Sequence, residues 1–217
     1  IMSRTEMLAG ISHDLRTPLT RMQLQIAMAP LHEAQKKTLE EDITEMRHMI
    51  QEYLDFARGD VAEPTDSVDV IATLRDVVGR YTAAGRQVYL QYTPEGPLEL
   101  TLRPQAIRRL LTNLIDNALR YGQRAVVSLE ASATFVRVRI EDAGPGIPED
   151  VIEDMFKPFT RMEESRNSKT GGVGLGLSIA RDIAHSHGGE ITLENLRDAE
   201  GSVRGLQATL RLPREMR

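Results

Sequence analysis

The stretch GGVGLGLS at residues 171–178 decides the fold, because it indicates a phosphate-binding site and excludes two common folds that provide one. Its closely spaced glycines expose successive backbone N–H groups, and a helix predicted over 174–187 adds partial positive charge at its N-terminus. The stretch does not match Gly-x-Gly-x-x-Gly, lacks the Gly-Lys-Ser/Thr ending of a P-loop, and follows a loop and not a strand. We therefore exclude the dinucleotide-binding and P-loop folds.

The chain around this stretch alternates short β-type runs with runs of helical periodicity. The predicted strands are 88–92, 98–102, 126–130, 135–141, 190–194 and 207–212. The predicted helices are 70–81, 104–121 and 174–187. This pattern predicts an α/β sandwich over residues 67–217, with a mixed sheet covered by helices on one face.

The N-terminal quarter of the chain has a different pattern. Apolar residues recur at steps of three and four over 7–29, Pro30 and His32 mark a break, and a heptad seam follows. The seam residues are Leu39, Ile43, Met46, Ile50, Tyr53 and Ala57. Two antiparallel helices with such wide apolar stripes predict a hairpin over 1–58 that pairs with a second copy into a four-helix bundle. Residues 59–66 contain Gly and Pro without periodicity, so they are predicted to be a linker.

Composition excludes several classes of partner and site. The net charge is −5 with a pI near 5.6, so nucleic acid is not an expected ligand. The absence of cysteine rules out disulfides and thiolate metal sites. No apolar run approaches the roughly 20 residues that span a bilayer, so we expect no direct membrane contact of this part of the protein.

His13 is the first candidate for chemistry, within SHDLRTPL at residues 12–19. If Ile11 and Leu15 face the bundle, His13 projects to solvent, where its imidazole can act as a nucleophile and Asp14 can hold the proton on the other ring nitrogen. Thr17 lies one turn later on the same face. The alternative is an ordinary exposed His-Asp pair on a helix surface.

Asn113 and Asn117 form a second candidate site on the predicted helix 104–121. They are four residues apart and share a face, where their amide oxygens can help to hold Mg²⁺ that bridges phosphates, and Arg120 can supply positive charge. The alternative is two surface amides followed by a C-cap at Gly122.

Asp142 opens a third candidate, DAGPGIP at residues 142–148, directly after a predicted strand. A carboxylate at a strand end can accept a hydrogen bond from an exocyclic amine such as adenine N6, and glycines allow a flat ring to approach the backbone. A tight turn with a polar flank is the alternative. The long segment that follows contains Phe156, Phe159, Arg161, Arg166 and Lys169, which suits a lid with apolar anchors and phosphate-facing cations, or a solvated charged loop.

Taken in this order, these elements resemble the sensor histidine kinases. That family has a dimerisation and phosphoacceptor hairpin followed by an ATP-binding domain of the gyrase, Hsp90, kinase and MutL superfamily (GHKL, or Bergerat, fold). The resemblance covers nearly the whole chain and includes the histidine, asparagine, phenylalanine and two glycine-rich motifs, with an aspartate at position 14 where many relatives have glutamate.

The resemblance implies a role for each matched residue. It makes His13 the phosphoacceptor, Asp14 its acid/base partner, and Thr17 a residue that helps to dephosphorylate the partner regulator. Asn117 is the implied Mg²⁺ ligand. The other implied ATP contacts are Asn113, Arg120, Tyr121, Asp142, Gly144, Gly146, Ile147, Phe156, Arg161, Lys169, Gly172, Val173, Gly174, Leu175, Gly176 and Leu177.

The activity that the resemblance implies is ATP-dependent phosphorylation of His13 in a homodimer, with ATP and Mg²⁺ as cofactors. The phosphoryl group then passes to an Asp on the receiver domain of a response regulator, and the same chain is expected to act as a phosphatase on that regulator. We expect a cytoplasmic fragment of an inner-membrane receptor, since no sensor or HAMP-like segment is present. Phosphorylation in cis or in trans stays open.

Two other functions share parts of this pattern. An ATPase clamp of the Hsp90 or MutL kind has the same nucleotide fold, and the hairpin with His13 argues against it. A dimeric docking module with a degenerate nucleotide site is the non-enzymatic alternative, and the intact Asn117, Asp142 and glycines argue against that.

Overall fold

The computed structural model describes residues 18–30, 32–58, 63–92, 95–160 and 174–214. The chain divides into two compact units. One comprises residues 1–61 with 161–175, and the other comprises 62–160 with 176–217. The described part of the first unit is mainly helical, and the second unit contains all of the described strands.

The helical unit contains a hairpin. Helix α1 covers residues 18–28 of the described chain, and α2 is Glu33–Arg58. Pro30 lies in the predicted break between them, and Arg47 on α2 donates a hydrogen bond to Gln23 on α1 (3.4 Å). Ile43 of the predicted seam is buried, and so is Leu19, which the sequence pattern did not place on the seam.

The second unit is built on a five-stranded sheet. Its strands, with the two of a smaller sheet, are β1 Asp66–Asp69, β2 Gln87–Tyr92, β3 Glu99–Leu102, β4 Arg124–Ala131, β5 Phe135–Asp142, β6 Glu190–Arg197 and β7 Val203–Pro213. The order is β2-β4-β5-β7-β6, and β1 pairs antiparallel with β3. Only the β2–β4 pair of the larger sheet is parallel, so the predicted mixed sheet is confirmed.

Three helices pack against this sheet: α3 Val70–Ala83, α4 Pro104–Gly122 and α5 Gly176–Ser186. On β5 the side chains of Val136, Val138 and Ile140 are buried, whereas the residues between them are partly exposed. One face of the strand therefore meets the core, as expected for a sheet covered by helices on one side. The predicted fold, a helical hairpin followed by an α/β sandwich, is confirmed, while its dimer stays a prediction.

Some element limits differ from the sequence-based ones. Strand β1 begins at Asp66, the last residue of the predicted linker, and was missed because only Val68 of its four residues is buried. Helix α5 begins at Gly176 and not at residue 174, because Gly174 has a φ of 78°, which a right-handed helix does not admit. The domain limits 1–58, 59–66 and 67–217 stay predictions.

Candidate functional site

Asp142 is the last residue of β5, and its side chain is buried. Its Oδ1 accepts hydrogen bonds from the backbone N–H groups of Gly144 (2.7 Å) and Leu206 (3.3 Å). Burial raises the pKa of Asp142, and the two N–H groups oppose that rise because they favour the charged form. Within the described ranges, no group is hydrogen-bonded to the other oxygen, Oδ2, so one oxygen is fixed and the other can accept from a ligand.

Three glycines let the backbone approach Asp142 closely. A Cβ on Gly122 would lie 2.6 Å from the Ala143 nitrogen, and one on Gly205 would lie 2.0 Å from the Asp142 carbonyl oxygen. A Cβ on Gly144 would lie 2.9 Å from Oδ1 of Asp142. These distances are too short for any side chain, so the end of α4 and the start of β7 meet the end of β5 only because glycine occupies these positions.

The C-cap of α4 is Gln123 and not Gly122. Gly122 is the last helical residue, and Gln123 is the left-handed C-cap, with a φ of 60°. The alternative explanation, that Gly122 is the C-cap, is therefore wrong. A glycine is required at position 122 because the helix approaches the Ala143 backbone closely there.

The turn after Asp142 is held by Asn195, a residue of β6 that the sequence patterns did not reveal. Its Oδ1 accepts from the Ile147 N–H (2.8 Å), and its Nδ2 donates to the Ile147 carbonyl (2.7 Å). Gly146 has a φ of 74°, and a Cβ there would lie 2.4 Å from the Asn195 oxygen. Hydrogen bonds and close packing thus hold together a group of residues that we call the Asp142 end of the site: Asp142, Gly144, Gly146 and Ile147.

The second part of the site, which we call the Asn113 end, comprises Asn113 and Asn117 on α4 and Gly176 at the start of α5. A Cβ on Gly176 would lie 3.9 Å from the Asn113 Cβ, so the N-terminus of α5 is adjacent to this face of α4. Nδ2 of Asn113 is buried and bonds to none of the residues that the structure describes. The first turn of α5 carries no acidic side chain, so no negative charge of its own opposes the partial positive charge at this helix N-terminus.

The structure also describes five other residues that the sequence predicted as ATP contacts. Arg120 and Tyr121 are half-buried on the last turn of α4. Leu175 is fully buried just before α5, Leu177 is half-buried in its first turn, and Gly174 is left-handed.

Phe156 ends a short 3₁₀ helix, Glu153–Phe156, and is buried. The guanidinium group of Arg181 on α5 lies 4.3 Å from the centre of its ring and pairs with Glu153. Arg181 was not expected from sequence, and it attaches the start of the predicted lid to α5.

Several predicted residues fall outside the described part of the chain. They are His13, Asp14, Thr17, Arg161, Lys169, Gly172 and Val173. Their assignment rests on the sequence. Among the residues described, no cluster of His, Cys, Asp or Glu has the arrangement of a metal site. None of the described helices has the length and apolar character that crossing a membrane requires.

The geometry of the site suits a nucleotide. The Asp142 end offers a fixed carboxylate with one oxygen available beside glycine backbone, which suits a flat base with an exocyclic amine. The Asn113 end offers a buried amide without a partner among the described residues and a helix N-terminus, which suits phosphate oxygens and a cation bound through them.

Comparison with protein families gives two matches. Residues 103–216 match the family of histidine kinase-, DNA gyrase B- and HSP90-like ATPases, and residues 3–61 match the His kinase A (phospho-acceptor) domain. The first match covers more than half of the chain and contains the Asp142 and Asn113 ends.

Curated relatives carry the same two regions. The chain is 38% identical over 212 residues to the sensor histidine kinase GtrS of Pseudomonas aeruginosa, covering 97% of this chain and 42% of GtrS. It is 34% identical to the sensor protein RstB of Escherichia coli K12 (89% and 46% covered) and 30% identical to the sensor histidine kinase CpxA of that strain (97% and 47%). The chain therefore spans less than half the length of these relatives.

Solved structures show the same fold. Full-length ShkA in complex with AMPPNP superposes with a TM-score of 0.72 at 23% identity, covering 96% of this chain and 45% of ShkA. The catalytic domain of histidine kinase ThkA superposes with a TM-score of 0.58 at 28% identity, covering 69% and 95%. With its His kinase A domain, its ATPase domain and these relatives, the chain belongs to the sensor histidine kinase family.

Proposed function

We propose that this chain is the catalytic core of a two-component sensor histidine kinase that transfers the γ-phosphoryl group of ATP to His13 and then to a response regulator. The observation that carries the proposal is the buried Asp142, with Oδ1 fixed by two backbone N–H groups and Oδ2 available for the adenine amine. Because ATP is the phosphoryl donor, we place this part of the protein in the cytoplasm.

Adenine recognition follows from hydrogen-bonding direction. Adenine N6 is a donor, whereas guanine presents an acceptor, O6, at the equivalent position. Oδ2 of Asp142 accepts from the amine of adenine and repels the oxygen of guanine. The two hydrogen bonds between Asn195 and Ile147 hold the turn that follows Asp142 in place.

The Asn113 end binds the phosphates. Asn117 is the proposed Mg²⁺ ligand, with Asn113 beside it, and the buried Asn113 amide gains in the nucleotide complex a partner that it lacks among the described residues. Bound Mg²⁺ neutralises charge on the phosphate oxygens. Arg120 adds positive charge, and the N-terminus of α5 at Gly176 orients the anionic groups.

The chemical step is an in-line displacement. A lone pair on the imidazole of His13 forms a bond to the γ-phosphorus, the bond from that phosphorus to the bridging oxygen breaks, and ADP leaves with the electron pair. Asp14 holds the proton on the other ring nitrogen and stabilises its developing positive charge. The product is phosphohistidine, from which an Asp of the regulator takes the phosphoryl group.

The exposed apolar residues of the hairpin support a homodimer. Leu39 and Met46 lie seven residues apart on one face of α2, and both are exposed, as is Met22 on α1. A second copy that covers this face removes the apolar side chains from water.

Light scattering is expected to show a dimer for the unaltered chain and for the exposed-site control Thr38→Glu, and a monomer for the double variant Leu39→Glu/Met46→Glu. A monomeric unaltered chain would contradict the bundle.

A second exposed patch on the hairpin fits the regulator. Leu24 and Met28 are 60% and 86% exposed and lie four residues apart on one face of α1. Leu24 follows His13 by eleven residues, which in a continuous helix returns to nearly the same face. We assign this patch to the receiver domain, and Thr17 to hydrolysis by water of the aspartyl phosphate on that domain, which releases inorganic phosphate. The test compares the rate of phosphotransfer to purified regulators from the labelled unaltered chain and from the labelled double variant Leu24→Ser/Met28→Ser. The variant should transfer more slowly, and equal rates would show that the assignment is wrong.

Incubation with γ-labelled ATP tests the kinase activity. The chain is expected to take up a label that acid removes and base does not, and His13→Ala is expected to take up none. His32→Ala is the matched control, because His32 is an exposed histidine of the same unit and should leave labelling intact. A label that survives His13→Ala would refute the assignment, and ATP turnover without protein labelling would favour an ATPase clamp.

A further inference from the structure

Helix α4, which carries Asn113 and Asn117, begins without a cap from its own sequence. Its first internal hydrogen bond runs from the Ile107 N–H to the Arg103 carbonyl (3.0 Å). Pro104 has no N–H group, so the N–H groups of Gln105 and Ala106 are left without a partner inside the helix. The Arg103 side chain makes no capping bond.

Glu63 supplies the missing cap from a position 42 residues earlier in the chain. Its Oε1 accepts from the Gln105 N–H (2.7 Å) and its Oε2 from the Ala106 N–H (2.9 Å). Both carboxylate oxygens are therefore used, at the end of the helix where negative charge is stabilising. Glu63 lies inside the predicted linker 59–66, so this capping residue belongs to the connection between the two regions and not to the helix.

The anchored end of α4 is also tied to the end of α5. His187, buried just after α5, has Nδ1 2.8 Å from the Ile183 carbonyl oxygen, to which it donates, and its Nε2 accepts from the Arg103 N–H (3.1 Å). The two helices that build the Asn113 end are thus held together where Glu63 attaches.

The attachment shortens the connection between the hairpin and the ATP-binding unit. Helix α2 ends at Arg58, so with Glu63 fixed the connection is five residues, whose fully extended length is about 18 Å. Without the Glu63 bonds the next fixed point is Asp66, paired with Leu102 in β1. The span then grows to eight residues and at most about 29 Å.

We propose that Glu63 is a positioning residue for phosphoryl transfer, acting as an anchor that limits the reach of the ATP-binding unit to the hairpin. This inference rests on the proposed kinase function and adds a control of its rate. A shorter tether raises the effective concentration of the nucleotide at His13, which varies with about the −3/2 power of the tether length. The change from eight residues to five therefore corresponds to about a twofold gain.

The test compares Glu63→Ala with the unaltered full chain. The rate of His13 labelling at saturating ATP is expected to fall at least about twofold, while the KM for ATP stays unchanged, because the nucleotide contacts are intact. Asp69→Ala is the matched control. Asp69 caps α3 by accepting from the N–H groups of Ile71 (3.0 Å) and Ala72 (3.2 Å), and it also accepts from the Leu98 N–H (3.3 Å), so its loss should lower the melting temperature at least as much without lengthening the tether. Its labelling rate should not change.

A second variant separates the tether from the cap. Insertion of three residues, Gly-Ser-Gly, after Asp60 lengthens the same segment and leaves Glu63 in place, so it should reproduce the rate loss at an unchanged melting temperature. If the insertion has no effect, or if Asp69→Ala slows labelling as much as Glu63→Ala, the anchoring role is wrong and Glu63 is only a cap. An unaltered chain that takes up no label at His13 overturns the proposed function itself, and the inference with it.

Discussion

The Asp142 end and the Asn113 end of the site are built differently. At the Asp142 end, each polar group that fixes the turn is hydrogen-bonded within the protein, and glycines bring backbone segments to distances that no side chain allows. At the Asn113 end, a buried amide has no partner among the described residues and Gly176 has ordinary van der Waals space. On the proposed function, the end that takes the base is formed before ATP arrives, whereas the end that takes the phosphates gains hydrogen bonds from ATP.

The largest effect is expected from Asp142→Asn. An Asn that keeps its oxygen on the Gly144 and Leu206 N–H groups turns its amide donor toward the amine of adenine, and two donors cannot bond. Loss of a hydrogen bond to a charged group lowers ATP affinity about 10- to 100-fold. Calorimetric titration with a non-hydrolysable ATP analogue checks this. Asp150→Asn, at an exposed carboxylate nearby, is the control and should bind normally.

A pair of glycine substitutions compares the packing of the two ends. Gly122→Ala forces a methyl group to within 2.6 Å of the Ala143 nitrogen, so it should cost about 1–3 kcal/mol of stability. Among the described residues, a methyl group in Gly176→Ala meets nothing closer than 3.9 Å, so this variant should leave the melting temperature nearly unchanged. Thermal denaturation measures both. Equal losses would mean that the two ends are packed alike.

These two ends were not equally visible in the sequence. The Asp142 turn, the Asn113 face of α4 and the helix that begins at Gly176 are local patterns, and each lies on the kind of element that the sequence predicts. Asn195, Leu206 and Glu63 act on partners 48, 64 and 42 residues away. No local pattern reveals such contacts, because they arise only when the sheet brings distant segments together.

Asn195→Ala should loosen the Asp142 end without touching a ligand group. It removes two hydrogen bonds to Ile147, each contributing about 0.5–1.5 kcal/mol, so the turn loses part of its fixed shape. We expect the KM for ATP to rise about tenfold, with kcat for His13 labelling little changed, because the phosphate end is untouched. Asn195→Asp, which can keep the bond to the Ile147 N–H, should recover part of the loss. A change in kcat alone would show that Asn195 acts elsewhere.

The smallest effect is a dependence on pH. Burial raises the pKa of Asp142, so between its ordinary and its raised value the folded chain holds a proton that the unfolded chain has lost. This residue's contribution to stability is therefore greatest below the ordinary value and declines as pH rises through the raised one. Denaturation of the unaltered chain and of Asp142→Asn across acidic pH should show the variant gaining relative stability as pH increases. Parallel curves would contradict the raised pKa.

Mass spectrometry of phosphohistidine at His13, after incubation with Mg²⁺ and either ATP or GTP, tests the proposed function most directly. We expect modification of His13 with ATP, little with GTP, and a loss of that preference in Asp142→Asn, because on the proposed function Asp142 selects the base while His13 accepts the phosphoryl group. Equal modification by ATP and GTP in the unaltered chain, or phosphate on a residue other than His13, would contradict it.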